Sequence, residues 1–148
     1  MEKSISMDST ILCVIDFSEA SREALLQSIR LAQLYNSKLT VLYPYRLTQV
    51  NHDRDDPSQL KKSIDSDALQ SFSRMTSEIL EKSGIAYEFR PEVGFINDRV
   101  YAFSKKNKIG MVVMSKRMVS ANRDAFNELL SQIQVPLLIL PQKEIPIV

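Results

Sequence analysis

Five short apolar runs, separated by stretches of helical periodicity, constrain this chain more than any other feature of its 148 residues. The runs are Ile11–Ile15 (ILCVI), Leu39–Tyr43 (LTVLY), Ile85–Phe89 (IAYEF), Met111–Met114 (MVVM) and Leu137–Leu140 (LLIL). Between the first two, Leu25, Ile29 and Ala32 recur at helical spacing within 21–35. Leu60, Ile64, Ala68, Met75 and Ile79 carry a second helix, and Ile96, Val100 and Phe103 a third. Phe126, Leu129, Leu130 and Ile133 complete a fourth at i, i+3, i+4, i+7. Strand–helix alternation of this kind predicts an α/β fold: one doubly wound domain over residues 1–148, with a five-stranded parallel sheet and helices on both faces.

The order of the strands follows from which of them are written for burial on both faces. Runs one, two and four are continuously apolar, as interior parallel strands are. The third alternates, Ala86–Tyr87–Glu88–Phe89–Arg90, which suits a half-exposed edge. The order 2-1-3-4-5 would bury that strand in the middle; 3-2-1-4-5 places it at an edge and is the order expected. Helix starts are marked by Ser18 with Glu19 in the first turn, by Pro57, by Asn97 and by Asn122. Residues 1–9 and 141–148 read as tails, and the polar, acidic segment 46–57 as a mobile loop.

Composition removes several function classes. A net charge of +1 argues against a nucleic-acid surface. Apolar runs of about five residues are far short of the roughly twenty that cross a bilayer, so no membrane role is expected and a cytoplasmic protein is the simple reading. The single cysteine, Cys13, lies mid-strand and reads as a buried small hydrophobe; it supports neither a disulfide nor a thiolate metal cluster. His52, the one histidine, sits in the polar loop without companions, so no metal site is expected. Lys105, Lys106 and Lys108 close the third helix, where cations complement the helix dipole. Met111 and Met114 read as core.

Ligands of open α/β sheets bind beyond the carboxyl ends of the strands, where the strand order reverses. In the expected order that point lies between strands one and four. Asp16, Phe17 and Ser18 are delivered there from one side, Ser115, Lys116 and Arg117 from the other, with Tyr43 and Pro44 flanking. These are the candidate ligand-binding residues. The glycine patterns of P-loops, dinucleotide folds and nucleophile elbows are missing, and the whole chain has three glycines. The third run is followed by Arg90, Pro91 and Glu92, which does not suit a receiver domain. No nucleophile–base pair is visible, so no enzyme, catalytic residue or cofactor is expected.

The run ILCVIDFSEASREALLQSIRLA resembles the signature of the universal stress protein family: an apolar strand, Asp-x-Ser, Ser-x-x-Ala-Leu, then Leu-Ala. Asp16, Ser18, Ser21, Ala24, Leu25, Leu31 and Ala32 hold those positions, and KLTVLYPY, IGMVVMS and VPLLIL are similar to later family strands. The resemblance covers about 11–140. The ATP-binding branch of that family carries Gly-x2-Gly-x9-Gly-Ser/Thr after the fourth strand. Here the first two glycine positions are Ser115 and Met118, and the Gly-Ser pair falls on Arg123 and Asp124. Val119–Asn122 supplies four residues where the motif has nine. Five fewer residues shorten the loop's reach by up to about 16–18 Å, and Asp124 adds negative charge where phosphates would lie. The resemblance therefore implies a branch with a degenerate phosphate loop, and an interaction or regulatory role rather than catalysis.

Two expectations follow. Leu137, Leu138, Ile139 and Leu140 form an apolar strand at a sheet edge, a liability that pairing with a second copy would cover; family members commonly dimerise there, and the tail 144–148 (EIPIV) would extend the contact. An interaction protein, with an unidentified protein partner, should show the crevice between strands one and four filled by side chains such as Met118. The alternative, a nucleotide or other small anion held by Asp16, Lys116 and Arg117, should show an open polar pocket there.

Overall fold

The computed structural model describes residues 9–47 and 57–141; His52, residues 48–56 of the polar loop, residues 1–8 and the tail from 142 lie outside the described residues. Strands β1 (Thr10–Val14), β2 (Lys38–Tyr45), β3 (Tyr87–Val93), β4 (Ile109–Ser115) and β5 (Leu137–Leu140) form an all-parallel sheet in the order β3-β2-β1-β4-β5. The helices are α1 (Glu19–Tyr35), α2 (Pro57–Ser83), α3 (Ile96–Lys106), α4 (Lys116–Ala121) and α5 (Arg123–Gln132). Fold class and strand order are those expected from the burial pattern of the runs.

β1 is the spine. Ile11, Leu12, Cys13, Val14 and Ile15 are each 0% exposed, because alternate side chains enter the two cores of the domain. Ile11, Cys13 and Ile15 meet Ala24, Leu25, Ile29 and Ala32 of α1 and Phe72 and Leu80 of α2. Leu12 and Val14 meet Ile96, Val100 and Phe103 of α3, Leu129 of α5 and Met118 of α4. Cys13 behaves as the small hydrophobe expected: burial pushes its thiol up to about 12, only partly offset by the Ser28 hydroxyl. Lys105 and Lys106 stand in the last turn of α3.

Several local expectations are corrected. The third strand was expected at 85–89 but runs Tyr87–Val93. Its ladder continues through Arg90, Pro91 and Glu92, each in register with β2, since a proline lacking its N–H is harmless on an edge. Asn97 does not cap α3. Gly94, with φ 143°, turns the chain earlier, so that Phe95 takes the cap position without a side-chain bond and Asn97 lies inside the helix. Asn122 does occupy the N-cap position of α5, but its amide donates to the carbonyl of Met118 and ties down the helix before it. Leu130, part of the helical repeat, is 51% exposed, because α5 buries a narrower stripe centred on Leu129. The segment after β4 is no open loop. It folds as α4, capped by Ser115.

Gly94 allows a test. A Cβ built there would lie 2.9 Å from Nε of Arg99, and φ 143° is strained for any L side chain. Gly94→Ala is expected to lower unfolding free energy by about 1–3 kcal/mol in denaturant titration. Adding Arg99→Ala should recover only the steric part of the loss.

Candidate site at the carboxyl ends of β1 and β4

Asp16, Ser18 and Ser21 form a closed hydrogen-bonded knot where β1 passes into α1. The Ser18 and Ser21 groups both donate to one carboxylate oxygen of Asp16, the backbone N–H of Ser18 at 3.0 Å and the Ser21 hydroxyl at 2.7 Å. Ser21 Oγ in turn accepts from the Asp16 N–H at 3.0 Å, and Ser18 Oγ accepts from the Ser21 N–H at 3.1 Å. The last of these is the side-chain N-cap of α1. Ser21 is fully buried, so its hydroxyl must be satisfied internally, and this knot does that. The bond from the Ser18 N–H to its neighbour two residues back is an Asx turn. It holds Phe17 at φ 61°, a left-handed conformation that costs a non-glycine residue roughly 1–2 kcal/mol. The ring offsets part of that cost by packing edge-on against Tyr43 (4.7 Å between centroids) and Phe89 (6.2 Å).

Electrostatics bring the two sides of the crevice together. Partial burial would by itself raise the Asp16 carboxyl. The hydrogen bonds from Ser18 and Ser21 and the charge of Arg117 outweigh it and hold the group below its ordinary value. The Tyr43 phenol is pushed up, first by burial and then by the nearby Asp16 charge. Asp16, Tyr43 and Arg117 therefore share one electrostatic neighbourhood. Phe17 and Ser18 lie with them, although their contacts are those of a turn and a cap.

The β4 side differs from expectation. Ser115 is 1% exposed and its hydroxyl accepts from the Met118 N–H at 3.1 Å, so it is a buried helix cap rather than a group facing a ligand. Lys116 and Arg117 are exposed on the first turn of α4. Met118 is 2% exposed and packs into the cluster containing Leu12, Val14 and Met114. Ser21 lies outside the candidate set, and the helix that carries Met118, itself expected to fill the crevice, was not foreseen. The signal was present in the sequence: Ser115 stands three residues before Met118, and no glycine or proline interrupts 116–132.

Tyr43 and Pro44 lie inside β2 rather than beyond it, in register with Pro91 and Glu92. Two residues further along β2, the Tyr45 hydroxyl donates to Asp65 at 2.5 Å and pins α2 to the end of the strand. Burial, and then this bond, push the Tyr45 phenol up. Among the described residues no group of three or more His, Cys, Asp or Glu side chains is placed to hold a metal ion, and no helix is long and apolar enough to cross a membrane.

A sequence profile of the universal stress protein family matches residues 7–139. The chain belongs to the universal stress protein family. Solved universal stress proteins share its fold. One from Burkholderia pseudomallei is 19% identical with a TM-score of 0.70, covering 90% of this chain and 96% of its own. UspA from Lactobacillus plantarum is 16% identical with a TM-score of 0.72, covering 89% and 97%. The Archaeoglobus fulgidus protein in complex with dAMP is 16% identical with a TM-score of 0.63, covering 88% and 96%. No curated protein matches significantly.

Asp16 generates a pH prediction. A carboxyl whose folded pKa lies below its unfolded value of about 3.9 contributes stability that is present above pH ~4 and is lost as pH falls through the folded pKa. Asp16→Asn should cost about 1 kcal/mol at pH 7 by weakening the charge-assisted bonds. It should also flatten the decline in stability below pH ~4. Melting curves from pH 2 to 7 check both, and a decline as steep in the variant as in the parent would locate the acid sensitivity elsewhere.

Proposed function

We propose that this universal stress protein is a homodimeric interaction or regulatory domain, paired through β5, in which the phosphate loop of the ATP-binding branch is degenerate. The observation that carries the reading is Met118. Where the motif calls for a glycine that admits a phosphate, this chain has a side chain buried at 2% exposure against Leu12 and Val14. Its helix is fixed at both ends by Ser115 and Asn122. The aromatic contact of Phe17 with Tyr43 occupies the β2 side of the same crevice. No catalytic constellation enters the reading, and the partner would be another protein.

The dimer half of the reading rests on how differently the two sheet edges are written. β3 carries Glu88, Arg90, Pro91 and Glu92, with Arg90 paired to Glu92 at 2.7 Å and Glu88 at 3.7 Å. Charge and proline on an edge discourage pairing. β5 is Leu137–Leu140, all half-buried, with Leu138 and Leu140 against one core and Leu137 and Ile139 against the other. Nothing in those four side chains opposes an added strand, and a two-fold axis beside β5 would supply one.

A second reading is kept by a specific observation. Lys116 and Arg117 are exposed at the crevice, and Arg117 already acts on the Asp16 carboxylate. The similar universal stress proteins include structures in complex with cAMP and dAMP. In this reading Asp16, Lys116 and Arg117 hold a nucleotide or other small anion.

Thermal unfolding of nucleotide-stripped protein with and without millimolar MgATP separates the two. The interaction reading expects no shift. ATP at about a hundred times its Kd would stabilise by about 2.7 kcal/mol, a shift on the order of 5–10 °C. Such a shift, abolished by Lys116→Ala with Arg117→Ala, would establish the second reading. Sedimentation at micromolar concentration is expected to give a dimer, and Leu138→Lys to give a monomer. Circular dichroism checks that the variant keeps its fold, since Leu138 also packs on the core. A monomeric parent protein would remove the dimer from the proposal.

A further inference from the structure

The helix that follows β4 is also tied to the edge strand. Ser115 is at once the last residue of β4, the register partner of Leu140 in β5, and the cap whose hydroxyl accepts the N–H of Met118. The carbonyl of the same Met118 accepts from the Asn122 side chain at 2.8 Å. Met118 is thus held by its own N–H and C=O. Its side chain lies in the cluster against which Leu137 and Ile139 of β5 pack. Of the helices, α4 is the one that approaches β5 most extensively.

Apart from this, β5 is held by its ladder to β4 and by Leu138 and Leu140 on the other core. It is four residues long, half-buried throughout, and bonded on one side only, to β4. Short edge elements with few buried contacts are the first to open in native proteins, and they open together with whatever packs on them.

We propose that α4 and β5 open as one unit, so that the crevice between β1 and β4 can be entered only by loosening the edge through which two copies pair. Anything that displaces Met118 disturbs the cluster on which Leu137 and Ile139 pack and, through the Ser115 cap, bears on the Ser115–Leu140 pairing. Crevice occupancy and dimerisation are then antagonistic, and by linkage each opposes the other to the same degree. The regulatory half of this inference rests on the β5 dimer proposed above; the joint opening of α4 and β5 does not.

Hydrogen exchange read by mass spectrometry on Ser115→Ala and Asn122→Ala, at two protein concentrations, tests it. Two variants are used so that failure of one to fold leaves the other. Loss of either tie is expected to speed exchange of α4 and of β5 by the same factor, roughly fivefold. β2, β3 and α3 should keep their rates. Sedimentation of the same variants should show a weaker dimer, although neither residue is on the outer edge of β5. Faster exchange in α4 with unchanged exchange in β5 would overturn the joint opening. Joint acceleration at both concentrations in a protein that is monomeric throughout would uphold the unit and overturn only its link to pairing.

Discussion

Burial of β1 on both faces is the constraint on which the rest of the molecule depends. A strand whose five consecutive residues from Ile11 are fully enclosed must have a strand on each side and a helical layer above and below. β2 and β4 supply the first, and α1 with α2, and α3 with α5, supply the second. Right-handed crossovers then leave few ways to connect them. Because β1 has β2 on one side and β4 on the other, the strand order reverses beside it, and its carboxyl end opens into the one crevice that the topology creates. Fold and candidate site thus follow from a single buried strand.

What happens at that carboxyl end is decided by a serine-bonded carboxylate. Asp16 takes two hydrogen bonds on one oxygen, which fixes the turn, orients the cap of α1 and forces Phe17 into a left-handed conformation. An aspartate so engaged is already performing structural work, and its depressed pKa is what that work produces. A ligand reading of Asp16 needs the other carboxylate oxygen and the Arg117 charge to act together. The interaction reading needs neither.

Five strands, their order and the principal helices were legible because each is set by the periodicity of apolar residues over many positions, where errors average out. The burial of Cys13, the cap at Ser18 and the cations closing α3 were legible for a related reason: each rests on one residue type with one strong preference. The misses fall where two local signals compete. Asn97 has the chemistry of a cap, but Gly94 turns the chain before it can serve. Asn122 is at a cap position and spends its amide on the preceding helix. Leu130 fits a helical repeat whose buried stripe is narrower than the repeat. Tyr43 and Ser115 were expected at the crevice, whereas one is embedded in β2 and the other is buried as a cap. Position along a strand is legible from pattern, whereas the direction of a hydroxyl depends on what competes for it.

In the proposed reading, the stretch after β4 turns on whether glycine or methionine stands at one position. Glycine there leaves a backbone free to approach phosphate oxygens, since nothing projects from it. Methionine supplies an unbranched side chain that adapts to irregular gaps, and a core that excludes water gains from filling them. Once Met118 is inside, the surrounding segment is best satisfied as a helix, since Ser115 and Asn122 can take its N–H and C=O. Lys116 and Arg117 are then turned outward by the same helix that turns Met118 inward. Positive charge at the mouth and hydrocarbon within are two consequences of one folded turn. The exposed cations are therefore weak grounds for an anion site, because α4 would present them to solvent whether or not the crevice held a ligand.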